Sequence, residues 1–151
     1  MSWFPILLVI HIALAISLLA PSLLLPFLLR RAEASGPATS PLMQVLMAMQ
    51  GTGSVVIALG LAATGAGLLL VLGTELLTRP WLMVALAIYA ANLLIAAFVS
   101  RPNLRRLLWS GSGADDEAWR RRARTQRYVA YGMAAATGVI GFLMSTKPEL
   151  W

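Results

Sequence analysis

His11 is the residue of this chain best suited to ligand chemistry, because an imidazole titrates near neutrality and binds metals and haem. It is the only histidine in the sequence, and it lies in an uncharged run at residues 4–29. Two roles stay open for it: a neutral ring that hydrogen-bonds to another helix and fixes helix register, or a ligand of haem b or a metal ion. A proton relay is disfavoured because the apolar runs contain no Asp, Glu or Lys.

Three polar residues in other apolar runs are the candidate neighbours of His11. Each of His11, Thr64 and Tyr89 lies eight residues from the residue at the same membrane surface: Trp3 for His11, Leu72 for Thr64 and Trp81 for Tyr89. At 1.5 Å per residue, each is then about 12 Å below one membrane surface, and Asn92 lies slightly deeper. The sequence therefore predicts an inward polar cluster of Thr64, Tyr89 and Asn92 beside His11.

The remaining candidate ligands are weaker. The chain contains no cysteine, which excludes disulfides and thiolate metal sites. Met43, Met47 and Met49 are close together, and thioethers are soft Cu(I) ligands. Methionine is also an ordinary filler of apolar gaps, and that interpretation is favoured here. No glycine-rich phosphate loop or Ser-His-Asp set indicates catalysis.

Arginine is concentrated in the polar connection at residues 100–127. Such a cluster beside apolar runs favours contact with anionic lipid head groups. Nucleic-acid binding is disfavoured because only Trp119 would interleave with the cations. The predicted lipid contacts are Arg105, Arg106, Arg120, Arg121, Arg122 and Arg124.

The elements that must position these residues are long apolar helices. Of the 151 residues, 59% are hydrophobic and only 12% are charged, about half the usual share for a soluble domain. The sequence predicts one domain over residues 1–151, an all-α integral membrane antiparallel four-helix bundle. Its predicted spans are residues 4–29, 51–72, 81–99 and 128–146.

Two further helices are predicted in or beside the polar connection. Leucines alternating with arginines at 104–109 are typical of a short amphipathic helix lying on the membrane surface. Acidic residues from Asp115 predict a helix start, with a helix that continues into the fourth span and projects into the aqueous phase.

Charge placement predicts the orientation. Ten arginines fall in the first and third connections, whereas only Arg79 and Lys147 fall on the other side. Positive residues favour the cytoplasmic side, so both termini are expected outside a bacterial inner membrane.

Small and polar residues at helical spacing predict the faces that the spans turn toward each other. The predicted stripes are His11, Ala15, Leu18 and Ser22; Gly53, Gly60, Thr64 and Gly67; Ala85, Tyr89, Asn92 and Ala96; and Ala134, Gly138, Gly141 and Ser145.

A family resemblance follows from these motifs. The early histidine, the second helix GTGSVVIALGLAATGAGLLLVLG, the Arg-Pro-Trp at 79–81 and the ending GFLMSTKPELW resemble the DUF2269 family. That resemblance implies a small four-helix bacterial membrane protein without assigned activity. More distantly, the chain is similar to the copper-resistance D (CopD) and HemJ-type bundles, which implies a haem ligand at His11 with Pro26 as a matching proline.

Two classes of function are therefore open. The first is a non-enzymatic membrane protein, such as an accessory subunit in a larger complex or a homo-oligomer. The second is a haem- or metal-binding redox protein centred on His11.

Overall fold

The computed structural model describes residues 3–35, 40–109 and 116–147. Two π-helical turns, Met49–Gly53 and Ala96–Ser100, join neighbouring helices into continuous rods. Four rods are long and apolar enough to cross a membrane. The α-helices of the described residues are α1 (Phe4–Ser35), α2 (Pro41–Ala48), α3 (Ser54–Leu72), α4 (Pro80–Ile95), α5 (Arg101–Trp109) and α6 (Asp116–Thr146).

Local sequence sets where the rods begin and end. The Ser40 hydroxyl accepts a hydrogen bond from the Met43 backbone N–H at 3.3 Å, which caps the start of α2. Pro41 occupies the first turn, where its missing N–H leaves no helical hydrogen bond unmade. Gly73 ends α3 with φ of 105°, a conformation that other residues rarely adopt. A short 3₁₀ segment, Thr74–Thr78, then leads to Pro80 at the start of α4.

The rods form an antiparallel bundle, so the all-α four-helix prediction is confirmed. α1 packs along both α3 and α6, and α4 packs along α6, whereas α3 and α4 contact each other sparsely. In lipid, close packing rather than the hydrophobic effect holds helices together. Glycines of α3 allow this close packing. A Cβ on Gly60 would lie 3.3 Å from the Leu14 side chain of α1, and a Cβ on Gly67 would lie 3.4 Å from the Leu7 side chain.

The largest core lies at the end of the bundle that carries the arginines, hereafter the arginine end. Side chains from α1, α2, α5 and α6 meet there. Pro21 and Pro26 of α1 are also fully buried near this end. The buried members are Leu25, Leu29, Ala32, Met43, Leu46, Met47, Leu104, Leu107, Trp119 and Ala123.

The prediction of a separate surface helix at 104–109 was wrong. α5 continues α4 through the π-helical turn, and Leu104 and Leu107 are each only 1% exposed. The two leucines lie on one helix face, three residues apart, and bury themselves in the core instead of in lipid head groups. Leu108 and Trp109, in contrast, keep the expected outward position, at 37% and 84% exposed.

The helix expected from about residue 115 is present as α6, which begins at Asp116 and continues through the fourth span. Asp115 lies outside the described residues. The first turns of α6 do not project freely into water, because Trp119 and Ala123 are buried in the core. The rod that contains the second span runs continuously from Pro41 to Leu72, so its helix begins before the predicted span at residues 51–72.

Three of the four predicted inward stripes face the bundle, and the one on α6 does so only at Ala134, which is 7% exposed. Gly138, Gly141 and Ser145 are exposed, and a Cβ on either glycine would meet nothing within 4 Å. The face that α6 turns inward carries Ala130, Met133, Ala134 and Leu143 instead. The prediction was wrong for the other three residues because small residues also occur on faces that nothing in the described part of the chain covers.

Candidate functional site

His11 and Thr64 meet between α1 and α3, as their equal depth predicted. Nδ1 of His11 lies 2.9 Å from Oγ1 of Thr64. The Thr64 hydroxyl donates its proton to the carbonyl of Gly60, also at 2.9 Å. Because that proton is used, the Nδ1–H of His11 is the donor to Thr64. In the neutral ring, this hydrogen bond places the lone pair on Nε2.

Gly65 makes room for this ring. A Cβ at Gly65 would lie 3.4 Å from Cε1 of His11, so the imidazole packs closely against the backbone of α3 at this glycine. The ring is half-buried in the groove between the two helices. Its orientation is thus fixed by a hydrogen bond on one side and by a glycine on the other.

Tyr89 and Asn92 form a second site at the centre of the bundle, without His11 or Thr64. The Tyr89 hydroxyl donates to the carbonyl of Ala58 on α3. The Asn92 amide nitrogen donates to Oγ1 of Thr137 at 3.2 Å and to the carbonyl of Met133 at 3.5 Å, both on α6. The predicted polar cluster is therefore two separate sites, one formed by His11 and Thr64 and the other by Tyr89 and Asn92.

A buried amide network at the arginine end escaped sequence analysis. Gln126, fully buried on α6, donates to Oγ of Ser100 at 2.7 Å. Asn103 of α5 donates to Oε1 of Gln126 at 3.1 Å and to the carbonyl of Arg122 at 3.2 Å. Gln126 is seven residues after Trp119, on the same helix face, and that spacing was a readable signal of burial.

Gln50 lies just before the predicted second span at residues 51–72 and is fully buried. It belongs to the π-helical turn Met49–Gly53, and its amide nitrogen lies 3.5 Å from Oγ of Ser22 on α1. The hydroxyl of Ser54 donates to the Gln50 carbonyl. The wider turn rotates this part of the rod inward, which no helical periodicity in the sequence could indicate.

Two of the three clustered methionines pack in the core, and the third is exposed. Met43 and Met47 are 1% and 0% exposed within the apolar core, while Met49 is 36% exposed. Among the residues that the structure describes, no three His, Cys, Asp or Glu side chains lie together as a metal site.

The arginines predicted to contact lipid surround the outer surface of the arginine end. Arg105 and Arg106 line a shallow groove with Pro102 and the exposed Trp109. Along α6, Arg122 is half-buried and the others are exposed: Arg120, Arg121 and Arg124.

No family model, curated protein or solved structure matches this chain. The resemblance to the DUF2269 family therefore stays a prediction, and the residues described above carry the functional argument.

Proposed function

We propose that the chain is a non-enzymatic, multi-pass protein of a bacterial inner membrane, where it serves as an accessory subunit that packs through α6 against a transmembrane helix of a partner chain. One observation carries this proposal: the small-residue stripe Gly138, Gly141 and Ser145 lies open on the outside of the bundle.

The argument comes from what glycines do elsewhere in the same bundle. Gly60 and Gly67 of α3 let leucines of α1 approach to van der Waals contact. Small residues have this use generally in membranes, because they let helix backbones come close. Gly138 and Gly141 offer the same kind of surface with open space above both. A helix from another chain would fill that space.

The experiment is to fill the stripe with Gly138→Leu and measure co-purification of the partner from native membranes in mild detergent. The added side chain meets open space in the monomer, so the bundle should fold normally. A clash that costs about 1.4 kcal/mol lowers affinity about tenfold. Loss of the partner from Gly138→Leu is the expected result.

Gly132→Leu is the matched control. Gly132 also lies on α6 with open space above it, but six residues away and therefore on a different part of the helix surface. It should retain the partner. Equal retention by both variants, or a wild-type protein that purifies only as a monomer, would refute the proposal.

The arginine end supports the cytoplasmic orientation and the anionic-lipid part of the proposal. Exposed guanidinium groups beside exposed Phe98 and Trp109 can bind phosphate head groups while the aromatic rings lie against acyl chains. The partners proposed are therefore anionic lipids and a membrane subunit, or a second copy of the chain; nucleic acid is not among them.

A second candidate function is favoured by the geometry of His11. A neutral imidazole that donates Nδ1–H to an oxygen and keeps a lone pair on Nε2 is the form that binds haem or a metal ion. His11 would hold the group, Thr64 would orient the ring, and bound haem b would supply electron transfer. Any further protein ligand would come from another residue type or a second chain, because the sequence has one histidine.

A further inference from the structure

A small cavity lies at the centre of the bundle, where all four rods approach one another. Leu18, Ser54, Ala58, Tyr89, Asn92, Leu93, Ala96 and Met133 line it. Its volume is about 10 Å³, close to the least space that one water molecule occupies. The two π-helical turns flank it: Ser54 directly follows Met49–Gly53, and Ala96 begins Ala96–Ser100.

Asn92 brings an unsatisfied acceptor to this cavity. The residue is only 6% exposed, and its Oδ1 has no hydrogen-bond partner among the described residues. Its orientation follows from its neighbours on α6. The Thr137 hydroxyl donates its proton to the Met133 carbonyl at 2.9 Å, so both groups near the Asn92 amide are acceptors. The NH₂ must face α6, which leaves Oδ1 directed away from it.

The hydroxyl protons of the other polar side chains at the cavity are also donated to backbone carbonyls. The Tyr89 hydroxyl donates to the carbonyl of Ala58, and the Ser54 hydroxyl donates to the carbonyl of Gln50. Each retains a lone pair on its oxygen. The polar lining therefore consists of acceptors, and it requires a guest that donates hydrogen bonds.

We infer that the cavity binds a single water molecule that donates one hydrogen bond to Oδ1 of Asn92 and the other to the hydroxyl oxygen of Tyr89 or Ser54. Water has the right size and two donors. A dehydrated cation fits less well, because none of the residues lining the cavity is acidic. When its second hydrogen bond goes to Ser54 of α3, this water joins α4 to α3, two helices whose direct contacts are sparse.

The test uses the two alanine methyl groups at the cavity as probes. In the full-length protein in deuterated detergent, with ¹³C-labelled alanine methyls, we expect nuclear Overhauser cross-peaks from water to Ala58 and Ala96. Both residues are 4% exposed, so bulk water does not explain such peaks. Ala85 is the matched control: it is 1% exposed on α4 but does not line the cavity, and it should show no peak.

Two variants should remove the cross-peak at Ala58. Asn92→Leu deletes the acceptor, and Ala96→Val fills the space while Asn92 stays intact. Thr64→Val, outside the cavity, should leave the peaks unchanged. The inference is overturned if wild-type protein shows no water peak at Ala58 and Ala96, if Ala85 shows an equal one, or if the Ala58 peak survives both cavity variants.

Discussion

Asn92 is the polar side chain whose replacement should most clearly affect the bundle. It joins α4 to α6 through two hydrogen bonds inside the membrane-spanning region. Intramembrane hydrogen bonds contribute roughly 0.5–2 kcal/mol, so Asn92→Leu should lower the free energy of unfolding by about that amount. The measurement is the unfolding midpoint in mixed detergent micelles.

The control for that measurement is Leu94→Ile, two residues along the same helix. Leu94 is 58% exposed on the outside of the bundle, so this change should leave the midpoint in place. If the midpoint of Asn92→Leu equals that of wild type, the hydrogen bonds between α4 and α6 do not stabilise the protein.

His11 gives the residue-scale test of the second candidate function. If the haem alternative holds, the purified protein has a Soret absorption band that disappears in His11→Ala. Thr64→Val keeps the ligand but removes the acceptor of its Nδ1–H, and loss of such a partner weakens binding roughly 10–100-fold. A colourless, metal-free wild-type preparation would rule this alternative out.

The sequence predicted part of these residue positions and not the rest. Counting residues from the ends of the predicted spans correctly placed His11 and Thr64 at the same depth in the membrane. Depth alone did not say which way each residue faces around its helix axis, so Tyr89 and Asn92 were placed in the wrong group. Their true partners, Ala58, Met133 and Thr137, include backbone carbonyls that no side-chain pattern indicates.

At the scale of elements, the glycines of α3 and α6 should respond in opposite ways to the same substitution. A Cβ on Gly60 would already lie 3.3 Å from Leu14, so Gly60→Leu forces α1 away and should cost about 1–3 kcal/mol of stability. Gly138→Leu meets open space and should change stability by no more than about 0.5 kcal/mol. Unfolding midpoints of the two variants, measured side by side, provide the check.

Equal destabilisation by the two substitutions would mean that α6 is packed against the rest of the bundle at Gly138. Equal tolerance would mean that α1 and α3 do not approach closely at Gly60. Either result would contradict the packing described above.

The element boundaries show where sequence patterns stop being informative. Hydropathy predicted the four rods because long uncharged runs are unmistakable. It did not predict that α5 continues α4, or that Gln50 turns inward, because a π-helical turn changes the helix phase without a marker in composition. The leucines at 104 and 107 then face the core rather than the membrane surface.

At the scale of the whole molecule, the proposed arrangement is four membrane crossings with the arginine end on the cytoplasmic side. The antiparallel rods bring the polar connections that contain most of the arginines to one end of the bundle. Lys147 and the Thr74–Thr78 segment with its neighbour Arg79 lie at the other end. By the positive-inside rule, this asymmetry predicts that the arginine end faces the cytoplasm.

The absence of cysteine makes that direction directly measurable, because each introduced cysteine is the only thiol in the chain. Thr78, Trp109, Thr125 and Thr146 are all exposed and uncharged, so replacing them leaves the charge asymmetry intact. Single cysteines at these positions are labelled with a membrane-impermeant maleimide in cells whose outer membrane alone has been opened. We predict labelling at Thr78→Cys and Thr146→Cys, and labelling at Trp109→Cys and Thr125→Cys only after the inner membrane is permeabilised. Equal labelling of Trp109→Cys and Thr146→Cys before that step would contradict the four-span orientation.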